Sequence, residues 1–425
     1  MHLEAPTLCL WLASKAARSQ ADKQSPPENT GPLAGLRVID AATVIAGPTI
    51  GMLMADFGAD VIKVEHPRGD VLRTTGFLKD GVGLWYKMAN RNKRGVTLNL
   101  STDEGQALFK RLAATADVVI ENFRTGTMEK WGLGWEDLKA INPRLVMVRV
   151  TGFGQTGPYR HRPGFGTIAE AFSGFAAATG MPDGPPTLPN FGLADGIAAA
   201  YGTFAAMFAL YHRDATGAGV GQYIDLSIYE PLFLVMGPQP LDYDQLGIIA
   251  ERMGNRSKNN APRNTYRTRD GHWVAISTNA PAIVKRVLTL CGGPEVAADP
   301  RFQTPQGRVA HLDEVDGIVA DWIARHDLPE VLDAFEKAEA AIGPAYTTDQ
   351  IFDDPQYQAR EDIITLEDED LGPIRMTNAF PVMSETPAKV RHAGPRKGQH
   401  NQEIWGAEFG LSDAELAALA EEGVL

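Results

Sequence analysis

From Leu36 onward, short runs rich in Val, Ile and Leu alternate with helical stretches, the pattern of buried strands joined by helices. "LRVID" reads as a strand, "GPTIGMLMADFG" as a helix with Pro48 in its first turn and Gly58 closing it, and "DVIKVE" as the next strand. "GVTLNL" is then followed by a helix from Ser101, where Ser101 and Glu104 have capping-box spacing. "DVVIENF", a helical "GWEDLKAI" and the strand "LVMVRVTGFG" continue the alternation. The predicted class is α/β, a parallel sheet with helices on both faces. Ligands of such sheets sit beyond the carboxyl ends of the strands, here "AATVIAGP", "EHPRGD", "NLS", "ENFRTG" and "TGFGQTG".

Further on, the pattern predicts a helix around "TIAEAFSGFAAATG", a Pro/Gly-rich loop, an Ala-rich helix from Asp195 to about Arg213, and the strand "GQYIDLS". Near Tyr229 the composition loosens, and a hairpin "TYRTRDGHWVAIST" turning at Asp270 and Gly271 starts a second domain, with helices near 281–293 and 311–342. A strand "GPIRMTNAFPVM" and a helix "SDAELAALAEEG", whose Ser412 and Glu415 repeat the capping-box spacing, close the chain.

Composition narrows the function. The 40 basic and 53 acidic residues leave a net charge of −13, which disfavours nucleic acid or an anionic membrane as the main partner. No window is expected to reach the ~20 apolar residues of a membrane span. Cys9 and Cys291 form neither a disulfide framework nor a zinc motif, and the nine histidines lack metal-ligand spacing, so no metal is expected and a reducing cytoplasm fits best. In residues 1–30 the apolar "LCLWLA" has its basic residues after it, the reverse of a secretory signal; a flexible tail is expected, with an amphipathic transit segment as the alternative.

"GFGQTG", Gly152 to Gly157, matches a dinucleotide-binding fingerprint in letters only, because Pro158 and Pro163 delay the helix that must follow at once. No nucleophile elbow, zinc-protease motif or P-loop is present. Arg91, Lys93 and Arg94 in "NRNKRG" read alone as a solvated turn; with Arg68, Arg73, Arg124, Lys130, Arg160 and Arg162 they make a candidate phosphate-binding rim. Asp195 is a candidate helix N-cap. The small residues around it, Gly192, Gly196, Ala198 to Ala200 and Gly202, go further than capping requires, since they let a ligand approach and leave backbone amides to aim at an oxygen. That setting suits a carboxylate nucleophile attacking a carbonyl.

Several blocks, in order from about Leu33 to the C-terminus, resemble the family III CoA-transferases, which include formyl-CoA and carnitine CoA-transferases and the 2-methylacyl-CoA racemases. They are "VIAGPTIGMLMADFGADVIKVEHPRGD", "NRNKRGVTLNL", "ADVVIENFRTGTMEKWGL", "VTGFGQTGP", "SGFAAATG" with "DGPPT", "GLADG" and "GQHNQEIWGAEFGLSDAEL". The resemblance implies a Rossmann-like large domain built from both chain ends (31–228 and 346–425), a smaller inserted α+β domain (229–345), and two subunits interlaced as a homodimer like linked rings. It implies that Asp195 is the catalytic nucleophile. Coenzyme A contacts carry over onto Ile45, Ala46, His66, Leu98, Asn99, Leu100, Ser101, Asn122, Phe123, Arg124, Lys130 and the segment Arg162 to Gly166, including Phe165. His66 and Lys130 stand where arginines are common, which makes Arg68 a substitute phosphate contact. The Gly-rich active-site loop of formyl-CoA transferase has no copy in 251–266, which argues against formate or oxalate chemistry.

The implied reaction moves CoA from an acyl-CoA to a small carboxylic acid through an aspartyl anhydride and an aspartyl-CoA thioester, with no permanently bound cofactor; CoA is a substrate. Arg160 and Arg162 suggest a dicarboxylic acceptor. A racemase is the alternative enzyme, although Phe165-Gly166 replaces the His-Asp that racemases carry, and phenylalanine cannot take a proton. A non-catalytic CoA-binding protein is the third reading, in which Asp195 is only a cap.

Overall fold

The computed structural model describes residues 31–425. The tail expected over 1–30, and Cys9 within it, lie outside the described residues. Six strands, β1 (Arg37–Asp40), β2 (Asp60–Glu65), β3 (Arg94–Thr97), β4 (Val118–Glu121), β5 (Val146–Thr151) and β6 (Tyr223–Ser227), form one parallel sheet in the order β3-β2-β1-β4-β5-β6. The order reverses between β1 and β4, the switch point at which open α/β sheets bind ligands.

The strands are buried on both faces, and alternate residues serve opposite cores. Val38, Val118, Ile120, Val146 and Val148 pack with helices α1 (Ala46–Asp56) and α5 (Leu193–Ala215). Ile39, Ile62, Val119 and Met147 pack with α2 (Asp103–Ala113) and α3 (Trp135–Ile141), and Ile404, Trp405 and Val424 from the far end of the chain join that second core. A separate antiparallel sheet pairs Trp273–Ser277 with Arg263–Arg267 on one side and Ile342–Pro344 on the other, over its own core of Val287, Val319, Val331 and Phe335.

Several local expectations change. The cap of α2 is Thr102, whose Oγ1 accepts from the Gly105 N–H, while the Ser101 hydroxyl donates to Asn99 Oδ1. Ser412 does cap its helix, Asp413–Glu421. The stretch 166–178 breaks into α4 (Gly166–Phe172) and Phe175–Ala178, because Gly174 between them sits at φ 93. A strand absent from the pattern reading, Ile363–Asp368, pairs with Gly372–Thr377, and a π-helix covers Gln402–Glu408. Contrary to expectation, one helix, α5, is long and apolar enough to cross a membrane by length and composition. Its Ala194, Ala198, Ala199, Ala206, Ala209 and Leu210 lie in the first core. Much of its glycine and alanine content is therefore helix packing: a Cβ on Gly202 would come within 2.4 Å of Ile50 Cδ1 on α1.

Candidate active site

The loops after β1 and β4 meet at the switch point. The Thr43 N–H donates to Asn122 Oδ1 at 2.7 Å, and Asn122 Nδ2 donates back to the Thr43 carbonyl at 2.7 Å. Val44, between them, is held at φ 64, a conformation costly for a β-branched residue and stored where a ligand site is being shaped. Beyond this clasp opens a cavity of about 550 Å3, within the usual range for small-molecule sites. The β1 loop contributes Ile45 and Ala46, the β4 loop Asn122 to Arg124, and the end of β5 Thr151 and Gly152; Arg160, Arg162, Phe165 and Gly166 form the opposite wall.

Asp195 lines this cavity from the first turn of α5. It is not the cap: Gly192 holds that position, and Asp195 stands three residues inside the helix. Gly166 lets the carboxylate sit where it does, since a Cβ there would lie 2.1 Å from Asp195 Oδ2. Burial, and then the negative charge of Glu170, push the Asp195 carboxyl up to about 6 from 3.8. The Gly196 amide, expected to face a developing oxyanion, instead donates to the Gly192 carbonyl at 2.9 Å. A Cβ on Gly196 would meet nothing within 4 Å, so this glycine makes no close approach.

Glu170 was not singled out by sequence reasoning. It is 2% exposed on α4 and lines the cavity, and its Oε1 accepts from the Ala194 N–H at 3.2 Å. An acid in an amphipathic helix ordinarily faces water, and its local sequence carries no contrary signal. Trp85 and Phe191 also join the lining unanticipated.

The remaining sequence candidates fall elsewhere. His66 and Arg68 follow β2 and do not line the cavity; the Arg68 N–H donates to His66 Nδ1, and burial with the Arg68 charge holds the imidazole below its ordinary value. Leu98 and Leu100 are core residues, Asn99 and Ser101 bond each other beyond β3, and Lys130 is exposed on a short helix after β4. His66, Arg68 and Leu98 to Ser101 lie on the β3-β2 side of the carboxyl edge and Lys130 lies beyond β4, all outside the lining of the cavity that holds Asp195.

The basic rim shrinks by four members. Arg91 is bound to Asp56, Lys93 to Asp40, Arg94 to Asp60, Glu403 and Glu408, and Arg73 to Glu65. Buried cations need such partners, and these acids leave little charge for a phosphate. Arg124, Arg160 and Arg162 remain exposed on the cavity wall; Arg162 stacks 3.7 Å over the Tyr159 ring. Among the described residues no cluster of three or more His, Cys, Asp or Glu side chains is arranged to hold a metal ion.

Residues 33–401 match the family described as CoA-transferase family III. The chain is 44% identical over 404 residues to the succinyl-CoA–D-citramalate CoA-transferase of Chloroflexus aurantiacus, which covers 95% of this chain and 99% of that relative. It is 37% identical over 386 residues to the succinate–glutarate CoA-transferase of Agrobacterium fabrum, covering 89% and 96%. The crystal structure of a CAIB/BAIF family protein from Brucella suis is similar at a TM-score of 0.78 and 34% identity, covering 89% of this chain and 99% of that one.

Proposed function

We propose, from the premise that the chain belongs to CoA-transferase family III, that Asp195 is the covalent carrier through which this enzyme moves CoA from an acyl-CoA to a free carboxylic acid. A thioester is open to a carboxylate because its leaving thiolate has a conjugate acid of pKa about 8.5, far below an alcohol. The Asp195 oxygen attacks the thioester carbon, the C–S bond breaks, and CoA thiolate leaves an aspartyl anhydride. The thiolate then attacks the Asp195 carbonyl, releasing the donor acid and forming an aspartyl-CoA thioester. The acceptor carboxylate attacks that thioester to give a second anhydride, and CoA attacks the acceptor's carbonyl, restoring the Asp195 carboxylate. Each step exchanges one acyl bond for another, so covalent catalysis divides a difficult transfer into easier ones. Water would hydrolyse both intermediates, and the partly buried position of Asp195 works against that loss.

The observation that carries this reading is the contact of the Asp195 carboxylate with Gly166 at the wall of the cavity, on a helix turn fixed against the sheet. The acceptor and donor are dicarboxylic acids in this reading: the named relatives handle succinyl, citramalate and glutarate groups, and Arg160 and Arg162 stand at the cavity wall with guanidinium forks suited to a second carboxylate. CoA lies along the carboxyl edge, from the Asn122 clasp toward His66, Arg68 and Ser101. Two copies interlace; in support, Phe204, Phe208 and Tyr211 expose an apolar face on α5, and Phe233, Leu234 and Val235 expose another.

The test is a matrix of acyl-CoA donors and mono- and dicarboxylic acids, with products identified by mass and the peptide 189–213 examined for added acyl or CoA mass. Transfer with adducts on Asp195, both lost in Asp195→Asn, is expected. Folded enzyme that transfers CoA without any adduct, or an active Asp195→Asn, would overturn the proposal. A dimer mass in light scattering is expected alongside.

A further inference from the structure

One of the charged side chains that share the cavity with Asp195 is another acid, Glu170. Glu170 is on the buried face of α4 together with Gly166 and Ala169, and α4 packs on α5. Its Oε1 accepts the Ala194 N–H, one of the first-turn donors of α5 that has no partner within its own helix. The α5 cap residue is Gly192, which has no side chain to do this work. Glu170 therefore caps α5 from a neighbouring helix, one residue before Asp195.

A neutral glutamine or asparagine would serve as well for that bond, so the charge calls for its own account. The cavity-lining segments present few charges to Asp195: Glu170 from α4, Arg124 after β4, and Arg160 and Arg162 from the loop before α4. The segments 43–46 and 189–192 present none. Of these groups, Glu170 raises the Asp195 carboxyl in the same direction as burial.

We infer that Glu170 is a positioning residue for the transfer reaction: it fixes the first turn of α5 through Ala194 and keeps a negative charge beside Asp195, disfavouring the free carboxylate relative to its covalent forms. This rests on the reading of Asp195 as nucleophile. When the Asp195 oxygen bonds to the acyl carbon, its negative charge leaves with the CoA sulfur, and the repulsion from Glu170 is relieved. The same holds for the aspartyl-CoA thioester, which is also uncharged at Asp195. Raising the basicity of a nucleophile strengthens its attack, and raising its ground state increases the share of enzyme held as covalent intermediate. The overall equilibrium is untouched, because Asp195 begins and ends each turnover ionised.

Glu170→Gln keeps the shape and the acceptor for Ala194 while removing the charge; Glu170→Ala removes both. The experiment compares kcat against pH from 4.5 to 8.5 at saturating substrates, and steady-state adduct occupancy of peptide 189–213, in wild type, both variants and Asp195→Asn. Glu170→Gln is expected to melt like wild type, to move the acidic limb of the profile downward by about half a pH unit or more, and to lower plateau kcat and adduct occupancy several-fold. Titration of the acids themselves is common to all profiles and cancels in the difference. A Glu170→Gln enzyme with an unmoved limb and undiminished adduct overturns the role of Glu170 while an inactive Asp195→Asn leaves the nucleophile standing. An active Asp195→Asn would remove both. If Glu170→Ala fails to fold, the glutamine variant still decides the question.

Discussion

An acid kept where its charge is unwelcome should make the protein less stable than it could be, and Asp195→Asn measures by how much. The unfolded chain returns Asp195 to its ordinary 3.8, whereas the folded protein raises it to about 6. Such a rise corresponds to about 3 kcal/mol against the charged form, an upper bound for a site partly open to solvent. The sign follows from proton binding: between these two values the folded state holds the proton more tightly, so stability falls as pH rises through them and the whole penalty is present above about pH 7. Asparagine has the same shape and no charge, so it escapes the penalty. The variant should be more stable at pH 8, with the gain about halved at pH 5 and nearly gone at pH 4. For a cooperative unit of about 200–250 residues, 1 kcal/mol moves Tm by about 2–4 °C, which puts the pH 8 gain at up to about 6–12 °C. Calorimetry or near-UV circular dichroism at the three pH values reads it directly. A gain independent of pH, or no gain at pH 8, would refute the electrostatic account of this site.

Other residues give separate tests. Gly166→Ala places a Cβ 2.1 Å from Asp195 Oδ2 and must displace the carboxylate, so kcat should fall by about 100-fold or more in protein that still melts cooperatively. Arg160→Gln should raise KM for dicarboxylic acceptors by about 10-fold and leave monocarboxylic acceptors unchanged, as steady-state kinetics with matched acid pairs would show. Lys93→Met removes the Nζ that bonds Asp40, Asn90 and the Pro48 carbonyl and leaves buried Asp40 with the Ala42 N–H and the more distant Lys63, so denaturant unfolding should show a loss of about 3 kcal/mol, partly recovered by adding Asp40→Asn.

Features governed by neighbours a few positions apart were readable in the chain. The strands "LRVID", "DVIKVE" and "DVVIENF" announced a parallel sheet because helical stretches separate them. Ser412 with Glu415 announced a helix start because the cap bonds its own third neighbour. Where two neighbouring hydroxyls competed, at Ser101 and Thr102, spacing alone chose the wrong one, because Asn99 takes the Ser101 hydroxyl. Asp195 stood out through the small residues beside it, but the glycine that matters most to its carboxylate is Gly166, 29 positions earlier and on another helix.

The α/β class with its parallel sheet was determined by the sequence alone, since periodicity and local composition decide which faces are buried and where loops gather. Tertiary structure decided which charges are free to act. Arg91, Lys93 and Arg94 looked available until Asp56, Asp40 and Asp60, from 34 to 53 positions away, neutralised them, and Glu170 looked solvated until α5 covered it. The strength of a charge depends on its surroundings within a few ångströms, and those surroundings come from segments remote in the chain.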